Sequence, residues 1–221
     1  MQKKNLVIFD VGRTLVNATH VDIIKFFVSK KRLNNPFLLF ISLLFLAHKV
    51  IGINEKAVCT ITTKAFKSFA GMSEDELNRL SREFYEKEFK QKMFSQSIEI
   101  IEKHKKNGDE VVLITALLPN VVDCAKKDLG LKYLIAPELE VVDGIVTGKV
   151  TSKIPYGINK LILSEALSKK LGLSLDSAYF YSDRYSDLKL FERVEKRIVF
   201  NPEAKLRVFA MKEGWKIIDL I

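Results

Sequence analysis

Leu6-Val7-Ile8-Phe9-Asp10-Val11-Gly12-Arg13-Thr14 is the stretch on which the reading of this chain turns. Four consecutive apolar residues follow the polar Met1-Gln2-Lys3-Lys4-Asn5 and end at an aspartate. The run is short and shows no alternation, the pattern of a strand buried on both faces of a parallel sheet. In open sheets of that kind ligands bind outside the carboxyl ends of the strands. Asp10 and the residues after it therefore stand where chemistry is expected.

Similar runs recur at Val111-Val112-Leu113-Ile114, Ala178-Tyr179-Phe180-Tyr181 and Arg197-Ile198-Val199-Phe200. Between and beyond them lie helical patterns: Ser97 to Lys106 closed by Asn107-Gly108, Val121 to Leu129 ending at Gly130, Asn159 to Leu171 ending at Gly172, and Glu203 to Glu213 ending at Gly214. Glycine just past the last periodic residue is a helix stop signal. Strands alternating with helices predict a doubly wound α/β fold with a parallel sheet.

Two segments interrupt the alternation. Residues 139–150 read as a β-hairpin turning at Asp143-Gly144. The longer interruption, from roughly Val16 to Phe94, has no strand-like alternation but helical patterns at Val21–Lys30, Pro36–Val50, Glu55–Phe69 and Ser73–Phe89. Ser73 with Glu76 three residues on forms a capping-box signal at the start of the last of these. The expected organisation is a core domain of residues 1–16 and 95–221, with a helical cap of residues 17–94 inserted after the first strand.

Composition narrows the class without naming it. A chain of 221 residues, 48% hydrophobic and 29% charged, is globular in composition. At this length roughly 70% of the unfolded surface can be buried, so no covalent staples are needed. Two cysteines, Cys59 and Cys124, make neither a disulfide framework nor a metal motif, which suits a reduced compartment. The amino terminus runs into the first strand too soon for a signal peptide, so a cytoplasmic location is expected.

There are 36 Lys and Arg against 27 Asp and Glu, a net charge of +9. The basic residues do not gather on one element as in a nucleic-acid binder. They fall toward helix ends, as at Lys30-Lys31-Arg32, Lys105-Lys106, Lys126-Lys127 and Lys169-Lys170, where cations offset the helix dipole. No nucleic-acid partner is expected; what remains is a general bias toward anionic ligands.

Phe37 to Ala47 is an apolar run broken only by Ser42. A bilayer span needs about 20 apolar residues, which this does not reach. It is compatible with a buried cap helix, with a lid over a hydrophobic substrate, or with an interfacial helix that brings the cap to the inner face of a membrane.

The residues at the strand ends form a chemical set. Asp10 and Gly12 follow the first strand, Thr115-Ala116 the second, and Ser182-Asp183 through Asp187 the third, with Lys160 near the start of the helix before it. Carboxylates, a hydroxyl and a lysine so placed are the parts of a magnesium-assisted phosphoryl transfer: one carboxylate attacks phosphorus, another holds the metal, and the lysine neutralises phosphate oxygens. Blander roles stand beside these. Thr115 fits an ordinary cap, Lys160 a solvated helix lysine, and Asp187 a first-turn charge. Asp10 and Asp183 fit a blander role less well, because an unpaired carboxylate at the end of a buried strand costs several kcal/mol.

These motifs resemble the haloacid dehalogenase-like (HAD) superfamily, in its phosphoserine-phosphatase-like branch. Leu6–Leu15 is similar to the first motif, Ile114-Thr115 to the second, Lys160 to the third and Ser182-Asp183 with Asp187 to the fourth; Asn201-Pro202-Glu203 through Gly214-Trp215 is similar to that branch's tail. The branch carries its helical cap where the long insert lies here. The resemblance implies that Asp10 is the nucleophile and that Thr115 and the Ala116 backbone bind phosphate. Lys160 would steady both the phosphate and Asp10. Asp10, the Gly12 carbonyl and Asp183 would hold Mg²⁺, with Asp187 in support. The implied partner is a small-molecule phosphate.

Three positions depart from the pattern. Gly12 stands where the family normally has a second aspartate that protonates the leaving oxygen and then activates water. General acid–base catalysis contributes 10²–10⁴-fold, so slow turnover of ordinary alkyl phosphates is expected. A substrate with a good leaving group, help from His20, Asp22 or water, a ligand bound without turnover, and a variant form of an ordinary phosphatase are the competing accounts. Arg13 replaces a small residue and has no assigned counterpart. Thr19 stands where phosphoserine phosphatases hold the substrate amine with an acid, so a hydrophobic or lipid-linked phosphate is the better expectation.

Overall fold

The computed structural model of the protein describes residues 4–30 and 54–219. The Phe37–Ala47 run and the helix expected over Pro36–Val50 lie outside the described residues. The central strand β1, Leu6–Asp10, is buried along its whole length. It pairs in parallel with β2, Glu110–Ile114, on one side and with β6, Tyr179–Ser182, on the other. The sheet is completed by β3 (Tyr133–Ile135), β7 (Lys196–Phe200) and β8 (Lys216–Ile218), in the order β3-β2-β1-β6-β7-β8, with every pair parallel. The chain runs outward from β1 through β2 to β3, then returns to the opposite side of β1. The crevice that this reversal opens, at the carboxyl ends of β1 and β6, is the expected ligand site of such a sheet.

The unbroken apolar runs follow from this burial. Side chains alternate between faces along a strand, and both faces here are covered. Val7 and Phe9 join one core with Val111, Leu113, Tyr181 and Phe200. Leu6 and Ile8 join the other with Val112, Ile114, Phe180 and Val199. The covering helices are α4 (Ser95–Lys106), α5 (Pro119–Asp128), α6 (Ile158–Leu171), α7 (Leu188–Arg193) and α8 (Ala204–Lys212). Gly172 closes α6 in the left-handed conformation at φ 65°, which a residue without a Cβ adopts freely. Sequence periodicity did not indicate β3, β8 or α7: two are three-residue strands and the third a six-residue helix.

The insert leaves and rejoins the core at one place. Val16 and Met93 form an antiparallel bridge, with Asn17 N–H donating to the Lys92 carbonyl (2.9 Å) and Phe94 N–H to that of Leu15 (2.9 Å). Its described helices are α1 (His20–Ser29), α2 (Glu55–Phe66) and α3 (Glu74–Phe84). Phenylalanines hold them together: Phe26 packs on Phe84 at 5.2 Å between ring centroids, and Phe27 on Phe69 at 5.1 Å. The hairpin of β4 (Leu139–Val142) and β5 (Ile145–Val150) forms where the sequence placed it. It joins the insert rather than the main sheet: Gly71 N–H donates to the Val146 carbonyl, Val146 N–H to that of Met72, and Glu74 N–H to that of Gly144.

Candidate active site

Asp10 ends β1 and is buried at 6% exposure. Lys160, in the first turn of α6, reaches it with Nζ 2.6 Å from Asp10 Oδ1. The same ammonium lies 2.7 Å from Asp187 Oδ2, which also accepts a 2.6 Å hydrogen bond from Ser182 Oγ. A lysine buried to 4% exposure between two carboxylates is not a solvated helix residue. Burial by itself would lower its pKa, but Asp10 and Asp187 reverse the effect and hold it above its ordinary value. Lys160 is thus a fixed positive charge against one oxygen of Asp10. Oδ2 takes no part in that contact.

Asp183, directly after β6, is placed differently. It is fully buried, yet neither carboxylate oxygen accepts a hydrogen bond among the described residues, and Asp187 Oδ1 is in the same state. Arg13 Nε and Arg184 Nε approach Asp183 Oδ2 at 3.3 and 3.4 Å, in ion-pair range without hydrogen-bond geometry. Burial pushes the carboxyl up to about 8, and repulsion from Asp10 and Asp187 adds to the rise while Arg184 and Arg13 oppose it. Buried polar atoms are normally satisfied, so a carboxylate with two free acceptors is suited to a cation. Among the described residues no three His, Cys, Asp or Glu side chains form a cage on their own. Mg²⁺ does not need one, since it keeps several waters and uses one or two carboxylates. Asp183, with both oxygens unsatisfied, is the carboxylate of this site that suits such an ion.

The loop after β1 is tied to itself: Arg13 N–H donates to the Val16 carbonyl at 2.7 Å, and Leu15 and Val16 N–H donate to that of Val11. This turn requires φ 65° at Arg13, a left-handed conformation costing a non-glycine residue about 1–2 kcal/mol. Gly12, by contrast, has no positive φ, and a Cβ built on it meets only the Ala18 carbonyl, at 3.6 Å. The backbone does not demand a glycine at position 12.

Thr115 is buried at the end of β2, where its Oγ accepts a hydrogen bond from Leu117 N–H at 3.1 Å. Thr19 caps α1, its hydroxyl and N–H both donating to Asp22, whose other oxygen lies 3.2 Å from Lys92 Nζ. His20 lies 3.0 Å from the Ala116 carbonyl, and burial lowers its pKa to about 4, so the ring is neutral at pH 7. Asp10, Gly12, Thr115, Ala116, Lys160 and Asp187 all line one cavity of about 540 Å³ between core and cap. Asp183 is not among the residues that line it.

Two contributors had no role assigned from sequence. Arg184 lies 3.8 Å from Glu203. Glu203 in turn accepts from Tyr185 N–H through its side chain and donates its own N–H to the Asp183 carbonyl. The Asn201-Pro202-Glu203 tail thereby braces the Asp183 loop.

A model of haloacid dehalogenase-like hydrolases matches residues 7–192. The chain belongs to that family. Over 166 residues this HAD chain is 32% identical to the phosphoserine phosphatase SerB1 of Mycobacterium tuberculosis, an alignment covering 75% of this chain and 54% of that protein. The chain thus spans about half the relative's length. It superposes on the crystal structure of a protein of unknown function from Bordetella pertussis with a TM-score of 0.88 at 24% identity, covering 99% of this chain and 100% of that one. A phosphoserine phosphatase held as an analogue of its phospho-aspartyl intermediate matches with a TM-score of 0.70 at 21% identity, covering 99% of this chain and 93% of that one. At these identities the structural likeness is one of fold. Among the described residues, no helix of this HAD chain is long and apolar enough to cross a membrane.

Proposed function

We propose that the protein hydrolyses a small-molecule phosphate monoester through an aspartyl-phosphate on Asp10, with Mg²⁺ as cofactor. The observation that carries this reading is the asymmetry around Asp10: Lys160 engages Oδ1 at 2.6 Å, Oδ2 takes no part in that contact, and the unsatisfied Asp183 is near enough for the two carboxyls to repel each other. Oδ2 attacks phosphorus, the phosphorus–ester oxygen bond breaks, and the leaving oxygen departs with the electron pair. Water then attacks the phosphorus of the aspartyl-phosphate and loses a proton to solvent, the bond between phosphorus and Asp10 Oδ2 breaks, phosphate leaves, and Asp10 is restored. Thr115 and the Ala116 backbone orient the phosphoryl group, while Lys160 opposes the burial that raises the Asp10 carboxyl's pKa and offsets phosphate charge. Asp10, the Gly12 carbonyl and Asp183 would hold Mg²⁺, with Asp187 behind them; when bound, the ion offsets charge on the phosphoryl oxygens.

Gly12 can neither give the leaving oxygen a proton in the first step nor take one from water in the second, and Thr19 and Asp22 are committed to each other at the head of α1. The substrate in this reading has a leaving group that needs little protonation, such as an acyl, aryl or diphosphate ester, and is hydrophobic or lipid-linked if the Phe37–Ala47 run faces it. Residues 17–94 act as the cap over a core of 1–16 and 95–221. The protein works in the cytoplasm in this reading, and contact of the cap with the inner face of the membrane belongs to it only if the Phe37–Ala47 run is membrane-facing rather than cap core or substrate lid. Binding of a phosphorylated ligand without turnover is the second reading, favoured by the missing side chain at position 12.

Rapid-quench kinetics with an aryl phosphate, read by intact mass, separate the two. Phosphorylated Asp10 that forms in a burst and decays slowly supports the enzyme. Gly12→Asp, for which the site has room, should then raise turnover of alkyl phosphates by about 10²–10⁴-fold. Absence of any phosphoprotein in either form leaves the binding reading standing.

A further inference from the structure

Arg13 has no part in the chemistry above, although its side chain reaches the centre of the site. The turn from Val11 to Val16 fixes its backbone at φ 65° through main-chain hydrogen bonds. Glycine is the least strained residue at such a position, so the backbone gives no reason for an arginine. Its one ion pair among the described residues is with Asp183 Oδ2, at 3.3 Å. The second guanidinium on that oxygen, Arg184, is also tied to Glu203. Arg13 has no such second anchor, is 33% exposed against 1% for Asp183, and lines the cavity. The pair lacks hydrogen-bond geometry, since both Asp183 oxygens stay unsatisfied.

We propose that Arg13 is a resident counter-cation of Asp183, which competes with a divalent ion for the site and turns into the cavity when that ion binds. The proposal rests on reading Asp183 as a metal ligand. A guanidinium within ion-pair range of the ligating oxygen repels an ion bound there, because like charges this close in a poorly screened site interact strongly. The protein therefore holds divalent ions more weakly than its carboxylates alone would. Once displaced, Arg13 stands in a cavity that also holds Lys160, where it adds positive charge for an anionic ligand.

The test is metal binding itself, without turnover. Mn²⁺ titrations followed by electron paramagnetic resonance, with Mg²⁺ competition, compare the wild type with Arg13→Gln, Arg13→Gly and Arg13→Lys. Asp183→Asn is the site control, and thermal melting confirms that each variant is folded. The neutral variants should bind Mn²⁺ at least about tenfold more tightly, a difference of about 1.4 kcal/mol. Arg13→Lys should stay near the wild type, and added salt should shrink the contrast. Equal affinity in wild type and both neutral variants overturns the proposal. Tightening in Arg13→Gly but not in Arg13→Gln overturns it too, since relief of the strained φ would then be the cause. If Arg13→Gln fails to fold, Arg13→Gly against Arg13→Lys carries the comparison, because glycine suits the backbone there. Site-specific binding lost in Asp183→Asn but unchanged across the Arg13 series spares the metal reading and sinks this one. No site-specific binding in any form sinks both.

Discussion

Asp10 and Asp183 stand at the ends of neighbouring parallel strands, yet the protein treats their charges in opposite ways. The Asp10 corner is closed: Lys160 bridges it to Asp187 with contacts of 2.6 and 2.7 Å, and Ser182 completes the set. The Asp183 corner is open: two guanidinium groups stand near one oxygen, and neither oxygen accepts a hydrogen bond. Under the proposed function, the contrast separates a nucleophile that must be ready whatever else is bound from a carboxylate whose partner comes and goes. A permanent counter-charge suits the first, and a loose, displaceable one suits the second.

The sharpest way to break this comparison is to remove the reacting oxygen. Asp10→Asn should abolish phosphatase turnover by at least about 10³-fold, as loss of a catalytic nucleophile does, while Mn²⁺ binding through Asp183 survives in weakened form. Phosphate release assays and metal titration check the two halves separately; residual turnover near the wild-type rate would remove Asp10 from the role. Next comes the bridge. Lys160→Met leaves two buried carboxylates without their cation, and urea unfolding should show a loss of about 3–5 kcal/mol. A change under 1 kcal/mol would mean that the corner is not closed by Lys160 at all.

A third test asks whether other groups in the cleft change charge near neutrality. Burial holds His20 down at about 4 against its ordinary 6.5. Between those values the unfolded chain takes up a proton that the folded ring refuses. The stabilisation is therefore complete above pH 6.5 and is lost as pH falls toward 4. The ceiling is about 3 kcal/mol, lowered because the ring is partly exposed. Denaturation curves at pH 7 and pH 5 should converge in His20→Gln relative to the wild type. The smallest effect calibrates the others: Tyr85 donates to Asp128 at 2.7 Å, away from both corners. Tyr85→Phe should cost about 1 kcal/mol and leave metal binding unchanged.

Much of the candidate site could be read before any fold was known, because its residues sit at local boundaries. Asp10 and Asp183 follow apolar runs, Thr115 ends another, and Lys160 opens a helical pattern. Arg184 and Glu203 could be named but not given work, since a guanidinium near a carboxylate 19 positions away in sequence leaves no local signature. Thr19 shows the converse. Its capping partner Asp22 is three residues away, yet that Thr19 gives both its hydroxyl and its N–H to Asp22 shows only when both side chains are placed.

By itself the sequence determined the parallel sheet, the interruption after the first strand and the hairpin, because each rests on the spacing of apolar and turn residues along a few neighbours. Only the tertiary structure decided that Lys160 bridges Asp10 and Asp187, which lie 150 and 27 positions from it. It also decided that the hairpin joins the insert and that Arg13 lies in ion-pair range of Asp183. These depend on how helix α6, the strand ends and the insert meet in space. That geometry is set by burial of the two core faces, and no local periodicity records it.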